Sequence, residues 1–216
     1  YPNYKIRHNS DLLPLFIDKP MMYERGEKFQ YNNTGYVLLA MIIEKVTGRY
    51  FDEYLQEKVF DVCGMKSTGY YELDRLPARC ANNYIYCPET KDFRTNIFSV
   101  DVKGTGAGGA FITVKDIINF WTNLIGGKLI PKELVAKMLS KQSGDGMDPE
   151  EGYYGYGVWI IDNPSGKDFV YFQGCDPGVS FISEYNPNNH MISVLVSNYG
   201  DNVWKEMRGI REKLYK

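Results

Sequence analysis

The sequence predicts an α+β fold: an antiparallel sheet flanked by helices, with a helical subdomain. Three observations carry that expectation. Apolar residues recur at helical spacing over the first two thirds of the chain. From Tyr153 onward the period drops to two in several successive runs. Two of those runs are joined by Asn186-Pro187-Asn188-Asn189, a hairpin turn, which makes the sheet antiparallel. Helices first, then strands, then a closing helix is the α+β order, not the alternation of a parallel α/β sheet. The 216 residues are read as one domain, with about 1–150 mostly helix and loop and about 153–216 sheet plus C-terminal helix.

Residues 1–30 contain Pro2, Pro14, Pro20 and Gly26 and read as loops with one short helix. Phe29-Gln30-Tyr31-Asn32-Asn33-Thr34 is a polar turn leading straight into Gly35-Tyr36 and the run Val37 to Ile43. A helix from about Gly35 to Val46 with so few polar positions is expected to be buried on nearly all sides. It is too short to cross a bilayer, which takes about 20 apolar residues. Thr47-Gly48 supplies a glycine stop. Phe51, Tyr54, Leu55 and Val59 mark one face of a second helix. Cys63-Gly64-Met65 reads as a turn and Ser67 to Tyr71 as a short strand. The stretch Leu76 to Val102 is aromatic and irregular, the kind of long loop that often walls a binding cleft.

Gly104-Thr105-Gly106-Ala107-Gly108-Gly109 matches G-x-G-x-x-G, yet a dinucleotide site is rejected. The helix signal, Thr113-x-x-Asp116, begins several residues too late, and no acidic residue stands about 20 positions on to hold a ribose. A tight backbone crossing is expected instead. Val114, Ile117, Ile118, Trp121, Leu124 and Ile125 outline a helix that Gly126-Gly127 stops. Pro131 starts another, with Leu134, Val135, Met138 and Leu139 facing inward. Residues 141–152 read as a solvated loop. Strands follow at 153–161, Phe169–Phe172, Val179–Tyr185 and Met191–Ser197, and Val203, Met207, Ile210 and Leu214 form a last helix expected on the sheet face.

Composition narrows function mostly by exclusion. A net charge of -2, with both signs scattered, gives no basic stripe for nucleic acid. Cys63, Cys80, Cys87 and Cys175 form no C-x-x-C pair and are expected as free thiols; Cys80 and Cys87 are close enough in sequence to bridge a loop. His8 and His190 have no ligand spacing, so no metal and no cofactor is expected. The start, Tyr1-Pro2-Asn3-Tyr4, has neither the charged nor the apolar part of a signal peptide and reads like the middle of a protein.

Tyr31-x-Asn33-x-Gly35-Tyr36-x-Leu38-Leu39 resembles the second motif of the serine β-lactamase and penicillin-binding-protein superfamily, in its class C β-lactamase, D-aminopeptidase and esterase branch. Val46-Thr47-Gly48, Val59-Phe60 with Gly64-Met65, Gly106-x-Gly108-Gly109 with Thr113-x-x-Asp116, Tyr156-Gly157, and Asp176 to Phe181 leading to Ser197-Asn198 follow in the family's order. The resemblance runs from about residue 20 to the end. It implies acyl transfer through an acyl-serine on an amide or ester: a peptidase, an esterase or a β-lactam hydrolase, acting on a small molecule or peptide. It also implies a bacterial source, while leaving cytoplasmic and exported locations open.

Two departures matter. No Ser-x-x-Lys occurs in the 216 residues. Cys63-Gly64-Met65-Lys66 has the spacing but falls on a family turn without an adjacent base. The family's nucleophile precedes Tyr-x-Asn, so the chain is expected to be a fragment without the N-terminal strands and nucleophile helix, inactive by itself and with an exposed sheet edge that invites self-association. Second, the family's Lys or His of the third motif is replaced by Phe172 in Phe172-Gln173-Gly174. The resemblance assigns Tyr31 as general base, Asn33 as a substrate or lysine contact, the Cys175 backbone N–H as an oxyanion donor, and Phe172, Gln173 and Gly174 as the substrate-lining strand. From spacing alone, Tyr31 could equally be a half-buried cap on the helix and Asn33 its N-cap. A non-catalytic paralogue that binds peptide or cell-wall ligands in the same cleft is the alternative.

Overall fold

The computed structural model describes residues 1–142, 152–161, 168–199 and 203–214. Asn3–Lys5 and Asn9–Leu15 are short 3-10 helices where one helix was expected. Helix α1 (Asn33–Thr47) follows the polar turn. Its cap is Asn32, whose side chain accepts from the Gly35 N–H at 3.3 Å, so Asn33 is the first helical residue and not the cap. Gly48, at φ 69°, ends the helix in the left-handed conformation that glycine adopts most easily.

The expectation that α1 is buried all round is corrected. Val37 and Ala40 are buried, but Leu38, Leu39, Ile42 and Val46 are 41%, 55%, 58% and 80% exposed. Composition records that a helix is built to be covered, not where its cover lies. The described elements pack on one side of it only. There, Gly106 crosses so closely that a Cβ would sit 2.5 Å from the Tyr36 carbonyl oxygen and 2.6 Å from the Ala40 Cβ. Buried Asn9 secures this crossing, accepting from the Gly106 N–H at 2.8 Å and donating to Glu44 at 3.0 Å. The glycine run is thus a tight crossing.

Helix α2 (Phe51–Leu55) continues through a wide π turn at Gln56–Phe60 into α3 (Asp61–Cys63), which Gly64 closes at φ 67°. Ser67 to Tyr71 makes only an isolated bridge, Gly69 to Phe111. The region expected to be irregular contains a hairpin, β1 (Tyr84–Cys87) with β2 (Asp92–Thr95). Thr113 caps α4 (Val114–Ile125) by accepting from the Asp116 N–H at 3.1 Å. The Asp116 carboxylate does not complete a capping box; it accepts from the Ser67 N–H and the Thr68 hydroxyl, both at 2.8 Å, tying α4 to the preceding turn. Pro131 is the N-cap of α5 (Lys132–Met138), and Leu134, expected inward, is 51% exposed.

The run 153–161 is not one strand but two, β3 (Tyr153–Tyr154) and β4 (Trp159–Ile161), because Gly157 turns the chain at φ 79°. β5 (Phe169–Asp176), β6 (Val179–Tyr185) and β7 (Ile192–Ser197) complete an antiparallel sheet in the order β3-β4-β5-β6-β7. Helix α6 (Trp204–Leu214) lies on one face, where Tyr171, Ile182, Val203 and Met207 cluster. The Arg211 guanidinium there reaches buried Glu184 at 2.7 Å. On the opposite face Ile117, Trp121, Leu124 and Val135 pack against Val158, Ile160, Val170 and Tyr185. Trp121 is fully buried and donates to the Ser183 hydroxyl at 2.6 Å. All four cysteines are free thiols. Most of the loop predicted at 141–152 lies outside the described residues.

Candidate active site

The site is set by where β4 stops. β4 pairs with β5 only through Trp159–Tyr171, Ile160–Val170 and Ile161–Phe169, whereas β6 pairs with β5 as far as Asp176–Val179. Residues Phe172 to Asp176 therefore have a neighbour on one side only among the described strands. Backbone parity tells which groups face the open side. The Gly155 N–H donates to the Val158 carbonyl at 2.8 Å, so Val158 turns its main chain toward β3. Main-chain groups alternate in direction along a strand, so Trp159 turns toward β5 and bonds Tyr171. Tyr171, and with it Gln173 and Cys175, then directs N–H and C=O away from β6. At Gln173 and Cys175 no described strand receives them.

The side chains keep this edge clear. Gly174, Cys175 and Asp176 are exposed, and a Cβ on Gly174 would meet nothing within 4 Å. Phe172, expected to line the substrate, instead turns its ring into the core, with centroids 5.2 Å from Trp121, 5.9 Å from Phe120 and 5.5 Å from Phe181. It supports the strand from beneath. The β1–β2 hairpin braces the far end. The Tyr84 N–H donates to the Asn198 carbonyl at 2.9 Å, and Asn96 donates to the Pro177 carbonyl at 3.0 Å. Although the Asp176 residue is exposed, the protein atoms crowding its carboxyl desolvate it, and this first, with the Asp101 charge second, raises it above its ordinary range. Asp101 is itself raised by burial.

Tyr31 is 40% exposed and stands on an aromatic floor. Its ring centroid lies 5.7 Å from Trp159, 5.9 Å from Tyr36 and 5.9 Å, edge-on, from Tyr154. Trp159 in turn stacks on Tyr171 at 6.5 Å across the β4–β5 pair. Gln173 follows Tyr171 on the same strand face, about 7 Å further along at two residues' rise. Trp159 thus connects the turn to Tyr171, the last residue of β5 paired with β4, and no hydrogen bond among the described residues joins Tyr31 to Gln173–Cys175. Burial, then the neighbouring Tyr36, raise the Tyr31 phenol above its ordinary pKa, which keeps it neutral. Asn33 is exposed on the first turn of α1. No local signal marks the floor: Tyr36 stands inside the quoted motif without a role, and Tyr154 and Trp159 are more than a hundred residues away.

The family model described as Beta-lactamase matches residues 5–213. The chain belongs to the beta-lactamase family. It is 28% identical over 197 residues to penicillin-binding protein 4* of Bacillus subtilis, a match covering 83% of the chain and 42% of the relative. The teichoic acid D-alanine hydrolase of Staphylococcus aureus is 27% identical over 160 residues, 71% of the chain and 39% of that protein. The crystal structure of a penicillin-binding protein from Bacillus halodurans superposes with a TM-score of 0.92 at 36% identity, covering 99% of the chain and 65% of that structure. The chain thus spans less than two thirds of these relatives' length. No described helix is long and apolar enough to cross a membrane.

Proposed function

We propose that the chain forms the base and oxyanion-donor side of an acyl-serine transfer site acting on an amide or ester. The observation that carries the reading is the paired geometry of Tyr31 and β5. The Tyr31 ring rests on Trp159, Trp159 stacks on Tyr171, and beyond Tyr171 the same strand reaches Cys175, whose N–H has no partner among the described strands. In this role the Cys175 N–H is one donor to the developing oxyanion, and an amide of this kind contributes about 3–4 kcal/mol to lowering the barrier. The Gln173 main chain pairs with the substrate backbone, and Asn33 contacts the substrate or a lysine. The serine and lysine come from polypeptide outside residues 1–216, packing on the exposed Leu38, Leu39, Ile42 and Val46 stripe. A lysine there also supplies the positive charge that a raised Tyr31 needs before it can accept a proton near neutrality. The Asp101 and Asp176 carboxyls at the end of the edge, with Phe172 in the core, disfavour a substrate that presents a carboxylate. A D-alanyl ester, such as the name of the staphylococcal relative implies for that protein, fits better than a penicillin.

The test uses a longer polypeptide that carries a Ser-x-x-Lys before residue 1. Covalent acylation by a D-alanyl ester or a fluorescent penicillin is expected, falling about 10²- to 10⁴-fold in Tyr31→Phe. Residues 1–216 alone are expected to turn over neither nitrocefin nor simple esters. Acylation undiminished in Tyr31→Phe contradicts the assignment. We further propose that the outer edge of β7, the uncharged run Ile192–Ser197, pairs with a second copy when nothing else covers it. Sedimentation of the 216-residue chain as a monomer at high concentration would count against that.

A further inference from the structure

Three aromatic side chains without a role in the motif comparison surround Tyr31, and two of them are joined through their hydroxyls. Tyr36, on the first turn of α1, and Tyr154, on β3, share a short hydrogen bond although 118 positions apart. It is the one hydrogen bond between α1 and the sheet among the described residues. Tyr154 is 8% exposed, and its ring packs edge-on against Trp159 at 4.7 Å and tilted against Phe29 at 5.4 Å. One phenol therefore touches both sides of the Tyr31 turn and the tryptophan on which Tyr31 rests.

We propose that Tyr154 is a positioning residue for Tyr31, acting through its hydroxyl pair with Tyr36 to hold the first turn of α1 against the β3–β4 hairpin. The inference rests on the acyl-transfer reading above. The physical case is one of few restraints. β3 and β4 are two and three residues long, and α1 is uncovered along one stripe. The Tyr31 ring makes aromatic contacts but no side-chain hydrogen bond among the described residues. Its place beside β5 therefore follows from the place of its floor. If the floor moves by an ångström, a base that must reach one particular proton loses its geometry. Burial, reinforced by the bond to Tyr36, holds the Tyr154 phenol well above the ordinary tyrosine pKa, so it does not ionise over the working range of pH. Tyr154 is accordingly not a second base; it keeps its proton, and either hydroxyl can be the donor of the bond with Tyr36.

Phenylalanine at either position keeps the ring and deletes only the hydroxyl, which separates positioning from packing. In the 216-residue chain, the Tyr31 ring resonance is identified by its loss in Tyr31→Phe, and its ring-current shift from Trp159 is followed by ¹³C-tyrosine NMR. Tyr154→Phe and Tyr36→Phe are each expected to collapse that shift, the double variant to add nothing, and Tyr156→Phe, on the exposed part of the same hairpin, to leave it in place. In the longer polypeptide, each single variant is expected to lower kcat about tenfold with KM changed less than about twofold. If one variant does not fold, the other removes the same bond. An unmoved Tyr31 resonance in a folded single variant overturns the proposal, as does lost urea stability with unchanged kcat. If Tyr31→Phe leaves acylation intact while the resonance collapses as expected, it is the acyl-transfer reading that has failed, not the positioning.

Discussion

Helix α4 hides Ile117, Trp121 and Leu124 beneath the sheet, whereas α1 leaves Leu38, Leu39, Ile42 and Val46 facing water. Of the two, α1 has the more continuous apolar sequence. The amphipathic helix finds its cover within the described residues, so its polar face marks the outside. The uniformly apolar helix asks for cover on several sides and finds it on one. Two of the unsatisfied surfaces lie near Tyr31 in the chain or through Trp159: the α1 stripe begins two residues after Tyr36, and Trp159, on which Tyr31 rests, stacks on Tyr171 just before the unpaired stretch of β5. Finished packing belongs to the half built on α4 and the sheet interior. Two of the unfinished surfaces, the α1 stripe and the open stretch of β5, flank the elements that carry the candidate site.

That contrast can be broken by mutation. Trp121→Ala empties a fully buried site and leaves the Ser183 hydroxyl without its partner, so a loss of about 3–5 kcal/mol is expected in urea unfolding. A loss below about 1 kcal/mol would mean that α4 is less well packed than its burial indicates. A pH series extends the comparison to two phenols outside the α4 core, Tyr31 before α1 and Tyr70 beside Phe51 on α2. Burial raises the phenols of Tyr31 and Tyr70, that of Tyr70 to about 12. A raised folded-state pKa favours the neutral phenol, so this contribution to stability is complete below pH 10 and is lost as pH rises toward 12. Urea midpoints should fall between pH 10 and 12 as absorbance at 295 nm rises; a midpoint flat across that window would contradict the burial. The smallest effect is expected on the stripe. Ile42→Gln should change stability by less than about 0.5 kcal/mol, because the side chain is already 58% exposed. A loss of 2 kcal/mol or more would show the stripe covered in solution, and the contrast between the helices would fail.

Much of the fold was legible because its signals are local. Val179–Tyr185 was read to the residue, the Asn186–Asn189 hairpin fixed the sheet as antiparallel, Thr113 and Gly48 marked helix ends, and the late helix signal exposed the glycine run as a crossing. What was misread depended on partners distant in sequence. Gly157 looked like one small residue in an alternating strand, and only its positive φ reveals the turn between β3 and β4. The β1–β2 hairpin lacks an Asn-Gly or Asp-Gly turn and carries its positive φ on Lys91, so the stretch looked irregular. For the site, the Tyr31 motif and the open strand were readable from the resemblance. The Tyr36–Tyr154 bond and the Trp159 floor were not, since nothing within one turn of either tyrosine specifies a partner 118 positions away. Phe172 was misplaced for a related reason: its motif position suggested the cleft, but the parity of β5 sends its ring to α4.

The measurement that bears most directly on the account is amide hydrogen exchange along β5 in the 216-residue chain. Phe172 and Gly174, directed toward β6, should be protected, while Gln173 and Cys175 should exchange fast because their N–H groups face the open edge. That alternation is the expected result. Protection of Cys175 equal to that of Gly174 would show the edge occupied or the parity reversed, and the oxyanion donor would have to be sought elsewhere.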